Sequence, residues 1–166
     1  MVIYLKKCIV ICLLIISFDG LSQTTSRLSI SSEGETLPFD FNSFKKYEDG
    51  ISISTIASVY FVDPSLPALR WKLDVKANSA SIIGDNGNTL PLSTIEIQAS
   101  GTENPTALYH TISLAPSDVT LIENGSQTDL NGHIIYIQYN VGTNTSLLGQ
   151  TPDYYFVDII YTLQPE

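Results

Sequence analysis

Past Cys12 the chain has no cysteine, because its only two, Cys8 and Cys12, lie within the first dozen residues. The body of the protein therefore carries no disulfide, thiolate metal site or cysteine nucleophile. Histidine is nearly as scarce. His110 and His133 are the only two, and neither has another His, Asp or Glu at metal-ligand spacing. Basic residues are few, with 8 Lys and Arg against 17 Asp and Glu and a formal net charge of −9. Such an excess repels nucleic acid and anionic membrane surfaces, so neither is expected as a partner. No apolar run is long enough to span a bilayer as a permanent helix, and no membrane span is expected in the mature form. The absence of a G-x-S-x-G removes the nucleophile-elbow serine hydrolases.

What is present begins with a leader. Lys6 and Lys7 precede the apolar run Cys8 to Ile16, and the small, polar stretch Ser17 to Ser22 follows. That layout predicts a signal peptide over residues 1–22 and an exported protein, located at the cell surface, outside the cell or in a periplasm. Cys12 sits inside the apolar run rather than after it, so no lipid anchor is expected. Residues 23–36 are rich in Ser, Thr and Glu. They read either as a flexible N-terminal leader or as an edge strand around Arg27 to Ser31 that pairs with the sheet or with a neighbouring subunit. Residues 37–166 read as a single domain, long enough to rely on an ordinary hydrophobic core.

The domain reads as strands throughout. Leu69 to Ala77 alternates apolar and charged residues and holds the only tryptophan, Trp71. Successive strand residues face opposite ways, so Leu69, Trp71, Leu73, Val75 and Ala77 are expected inward and Arg70, Lys72, Asp74 and Lys76 in water. Phe39 and Phe41 alternate around Asp40 as in a strand that closes in a turn over Lys45 to Gly50. Ile51 to Val62 is β-branched and aromatic, with a slip of alternation at Ile56-Ala57 that predicts a bulge. Asn86-Gly87 supplies a tight hairpin between Ala80–Ile83 and Thr89–Ala99. Further strands are expected over Ala107–Ala115, with Leu108, His110, Ile112 and Leu114 on one face, and over Val119–Ile122, His133–Val141 and Tyr154–Leu163. No window shows helical periodicity. The expected fold is all-β, an antiparallel β-sandwich of about eight to nine strands, immunoglobulin-like or pilin-like.

Chemistry-bearing patterns are thin. His110 falls on an apolar strand face and reads as a hydrogen-bonded core or edge histidine, and His133 as a solvated loop residue. The acids Asp74, Glu96 and Asp158 occupy single outward strand positions and the others lie in turns, with no pair placed in a common cleft as glycoside hydrolysis requires. Asp85-Asn86-Gly87-Asn88 offers oxygen ligands for Ca²⁺ but lacks the further acids of an EF-hand loop, and a hairpin accounts for it. No catalytic residue, metal or cofactor is expected. Asn124-Gly125-Ser126 and Asn144-Thr145-Ser146 match the N-glycosylation pattern and mark exposed loops. Tyrosine supplies amphipathic contact area, and Tyr154-Tyr155, after the Thr151-Pro152 loop, is the expected exposed contact pair.

Trp71-Lys72-Leu73 has the W-x-L form, and Tyr161-Thr162-Leu163 before Pro165 stands where the WxL cell-surface domain family has a second such triplet. Phe39-Asp40-Phe41 is similar to that family's upstream strand, so the resemblance spans about residues 37 to 165. It departs at Tyr161, which replaces the second tryptophan. The resemblance implies an exported, β-rich bacterial surface protein that attaches non-covalently to the cell wall. It also implies that Trp71-Lys72-Leu73 and Tyr161-Thr162-Leu163 are the two halves of the motif, with Trp71 facing Tyr161 across the core. The alternating run Tyr155 to Tyr161 also resembles the last strand of pilin-like subunits, in which a neighbour's N-terminal extension supplies a missing strand. The expected function is therefore a non-enzymatic exported surface or fimbrial-type protein acting in adhesion or surface assembly. Its partners would be other surface proteins or cell-envelope polysaccharide, with homo-oligomers through strand edges. The alternative is a secreted carbohydrate-binding module that uses Tyr154, Tyr155 or Trp71.

Overall fold

Ile51–Val62 forms one uninterrupted strand, β2, because nearly every second residue is β-branched or aromatic and the chain offers no proline until Asp63-Pro64 ends it. The computed structural model describes residues 24–31, 36–129 and 131–166. The expected signal peptide, with Cys8 and Cys12, and residues 32–35 of the leader lie outside the described residues. Within them the fold is nearly all β, as expected, and three antiparallel sheets account for it.

The first sheet has five strands. Thr25–Ser31 (β1) lies on β2, and β2 is followed by His133–Val141 (β10), Ile95–Ser100 (β6) and Thr111–Ser113 (β8). The second runs from Ile159–Pro165 (β12) through Trp71–Ala77 (β3) and Val119–Gly125 (β9) to Leu108–Tyr109 (β7). The third is small: Tyr155–Phe156 (β11), Ile82–Gly84 (β4) and Thr89–Leu90 (β5). Inward residues of the two large sheets share one core, in which Val59, Phe61, Ile97, Ile135 and Ile137 join Trp71, Leu73, Val75, Leu121 and Ile122, all inaccessible to solvent. Two sheets burying one apolar face each is the sandwich arrangement.

The structure differs from the expectation at several points along the chain. Phe39 and Phe41 form no ladder, and Phe44–Asp49 is a short helix, α1, whose N-terminus Ser43 caps by accepting from the Lys46 N–H. No bulge occurs at Ile56-Ala57, because the pairing of β2 with β10 and β1 runs without a shift. Thr55 and Ala57 take the inward positions and leave Ile56 outside, 47% exposed. The bulge lies instead between β3 and β9, at Leu73. The segment around His110 is not one strand. The His110 N–H donates to Leu121 O (2.9 Å) in the second sheet while its carbonyl accepts from the Ala99 N–H (3.1 Å) in the first. The chain thus passes from sheet to sheet at this residue, which leaves Leu108 exposed and Ile112 and Leu114 buried. Likewise Tyr154–Leu163 breaks into β11 and β12, which raises the strand number among the described residues to twelve.

Candidate contact surface

The tryptophan half of the expected motif is core. Trp71 is fully buried, its Nε1–H donates to Ser126 O (2.7 Å), and the indole lies against Gly125, where a Cβ would collide with it. Leu73 pairs directly with Leu163, whereas Trp71 pairs with Pro165 and Tyr161 with Val75. Trp71 and Tyr161 therefore lie on neighbouring strands of one sheet rather than opposite each other across the core. Tyr161 is half-buried, and its hydroxyl donates to that of Tyr139 (2.9 Å). Burial, then the neighbouring Tyr139, hold its phenol far above the usual range, so it stays neutral.

Asp74 is not the solvated residue that strand alternation predicts. It is 3% exposed, on the outer face of β3, roofed by the side chains around it. Thr120 Oγ1 donates to its Oδ1 (2.7 Å), and Gln164 Nε2 (2.5 Å) and Lys72 Nζ (3.1 Å) approach its Oδ2. Burial pushes its pKa upward, but the bonds from Thr120 and Lys72 outweigh that and leave it below the usual carboxylate range.

The expected contact pair divides. Tyr154 is 78% exposed. Tyr155 turns inward against the core and its hydroxyl donates to Thr151 O (2.8 Å). The structure adds two exposed apolar residues that join Tyr154, namely Phe156, 60% exposed, and Ile83, 52% exposed, which are direct partners across β11 and β4. The Asp85 N–H donates to Tyr154 O (3.1 Å), so the ladder continues one pair further and sets exposed Asp85 opposite Tyr154. Thr89, exposed, faces Ile83 on the other side. One face of the small sheet is thus two aromatic rings, an isoleucine, a carboxylate and a hydroxyl, all open to solvent.

The hairpin that carries this face is clamped from behind. Gly87 turns with φ 81°, and the Gly87 N–H donates to Gly84 O (2.9 Å). Asp153 accepts from Asn88 Nδ2 (2.9 Å), from Asn86 Nδ2 (2.9 Å) and from the Asn86 and Tyr154 N–H groups. The Asn88 bond leads the causes that hold its carboxyl below the usual range. The amides of Asn86 and Asn88 turn nitrogen, not oxygen, toward Asp153, so the loop is an Asp-centred hydrogen-bond hub. Among the described residues no group of three or more His, Cys, Asp or Glu side chains converges. His110 Nε2 lies 3.1 Å from Glu123 Oε1, half-exposed, and His133 Nδ1 lies 3.2 Å from Asn104 Nδ2. No helix among the described residues is long and apolar enough to cross a membrane.

No protein-family model matches the chain, and no curated protein does. Among solved structures, a family 123 glycoside hydrolase from Clostridium perfringens is similar over 84% of this chain, at 15% identity and a TM-score of 0.40. The matched part is 24% of that hydrolase chain.

Proposed function

We propose that the protein is a non-enzymatic, exported surface or fimbrial-type protein that acts in adhesion or surface assembly through its strand edges. The observation that carries this reading is β1. Among the described residues it ends the five-stranded sheet and pairs with β2 alone, and it commits only Leu28 and Ile30 to the core while Thr25, Ser26, Arg27, Ser29 and Ser31 are exposed. A strand bonded on one side presents a second row of N–H and C=O groups that another chain can pair with. Its light apolar anchoring makes it the strand most readily supplied by a second copy. The best-satisfied carboxylates support a structural reading. Asp63 accepts from Ser65, Leu66 and Thr24, Asp74 ties three strands, and Asp153 holds a hairpin. Partners on this reading are other surface proteins, with copies of this chain among them.

Size-exclusion chromatography with light scattering tests the proposal on chains beginning at Gln23 and at Thr36. The shorter chain, with the β2 edge bare, is expected to self-associate and to capture a synthetic peptide of residues 24–31. A shorter chain that stays monomeric and ignores the peptide defeats it.

A further inference from the structure

The exposed face of the small sheet differs in charge from an ordinary apolar patch. From Ala77 to Glu166 the chain has nine Asp and Glu and no lysine or arginine. All of β4, β5 and β11 lie in that cation-free half. The Asp85 carboxylate, exposed beside the Tyr154 ring, enters no ion pair among the described residues. Asp153, one residue from Tyr154, adds a second negative charge behind the hairpin. Tyr154 and Phe156, two residues apart on an extended chain, set their rings about 7 Å apart.

We infer that this face binds a basic segment of a partner protein, with lysine or arginine side chains laid over the Tyr154 and Phe156 rings and paired with Asp85. The negative face of an aromatic ring attracts a cation, and a neighbouring carboxylate completes the pair. Arginine fits best, because its planar guanidinium stacks on the ring while its N–H groups reach the carboxylate. Ile83 supplies apolar surface for the methylene stem of the incoming side chain. Complementarity of charge selects this partner over a neutral sugar, because Asp85 enters no ion pair among the described residues and only a cationic side chain would add charge pairing to stacking on the rings. The inference does not depend on the strand-edge reading of β1.

The test uses the mature chain and a capped nonapeptide alternating glycine and arginine, with a second nonapeptide carrying glutamine in place of arginine. Binding is followed by amide chemical shifts in 50 mM and 150 mM salt. The arginine peptide is expected to shift the amides of residues 83–85 and 154–156 and to bind about tenfold more tightly than the glutamine peptide. Tyr154→Ala, Phe156→Ala and Asp85→Asn each weaken it severalfold, Phe156→Tyr restores binding, and Glu123→Gln, on the second sheet, leaves it unchanged. Unaltered thermal unfolding of the variants separates lost contact from lost folding. Arginine-peptide binding that survives Tyr154→Ala with Phe156→Ala overturns the inference as diffuse attraction to an acidic surface. No binding, or shifts produced by cellohexaose and not by the arginine peptide, overturn it as well, the latter in favour of a glycan site.

Discussion

Strand β3 and the segment Tyr154–Phe156 around β11 both set aromatic or aliphatic residues at every second position, yet Trp71, Leu73 and Val75 of the first are inaccessible to solvent while Tyr154 and Phe156 of the second are mostly exposed. β3 is flanked by β12 and β9, its inner face lies under the five-stranded sheet, and on its outer face Thr120, Gln164 and Lys72 cover Asp74. Among the described residues β11 has only the short β4 beside it, and the Tyr154 and Phe156 rings on its outer side are open to solvent. Alternation fixes which residues share a face. Whether that face is covered depends on neighbours distant in the chain.

The comparison is broken hardest at Trp71. Trp71→Ala removes the largest fully buried side chain and takes from the Ser126 carbonyl the shorter of its two hydrogen bonds, and is expected to cost about 3–5 kcal/mol, read as a lower midpoint in urea. Gly125→Ala attacks the same contact from β9. The new Cβ would press into an indole held in place by its own hydrogen bond, so a loss of about 1–3 kcal/mol is expected.

Asp74 gives the next effect and carries a sign. Its folded pKa is below the unfolded value, so its contribution is present above the ordinary carboxylate range and is lost as pH falls through that range toward the folded pKa. Asp74→Ala leaves the Thr120 hydroxyl and the Gln164 amide without their acceptor and is expected to cost about 1–3 kcal/mol at neutral pH. The variant's stability should also fall less steeply between neutral pH and about pH 3 than the parent's, a comparison made by urea titrations across that window. Parallel acid limbs would assign the carboxylate no role in the acid response.

Legibility follows the same division. The bounds of β2 and β10 could be read to the residue, because dense β-branched runs meet proline or glycine at their ends. Trp71, Leu73, Val75 and Ala77 as core followed from period two alone. Helix α1 did not, since its six residues bury none of their number and offer no apolar stripe. Nor did the burial of Asp74, because its roof comes from residues 46 and 90 positions away. Tyr154 could be named from the sequence, but Phe156 and Ile83 join it only through the register of β11 on β4. Tyr155 turns toward the core because adjacent strand residues point to opposite faces. A tyrosine pair in a strand can offer only one ring to a partner.

Behind the exposed face the effect becomes local. Asp153→Ala removes the acceptor shared by Asn86 and Asn88, and amide exchange in residues 84–88 is expected to quicken while the core strands keep their protection. A global rise in exchange would mean that the hairpin is part of the cooperative core.

The smallest effect is expected where the sequence looks most apolar. Tyr154→Ala with Phe156→Ala deletes two rings but strips little buried area, since both are more than half exposed, and the double variant should lie within about 0.5 kcal/mol of the parent. Tyr155→Ala, between them, empties a place against the core and frees the Thr151 carbonyl, so it should be measurably destabilising. Urea midpoints of the two variants decide the matter. If removing Tyr154 and Phe156 costs as much as removing Tyr155, the outer rings are structural, and the face of β11 is not free for a partner.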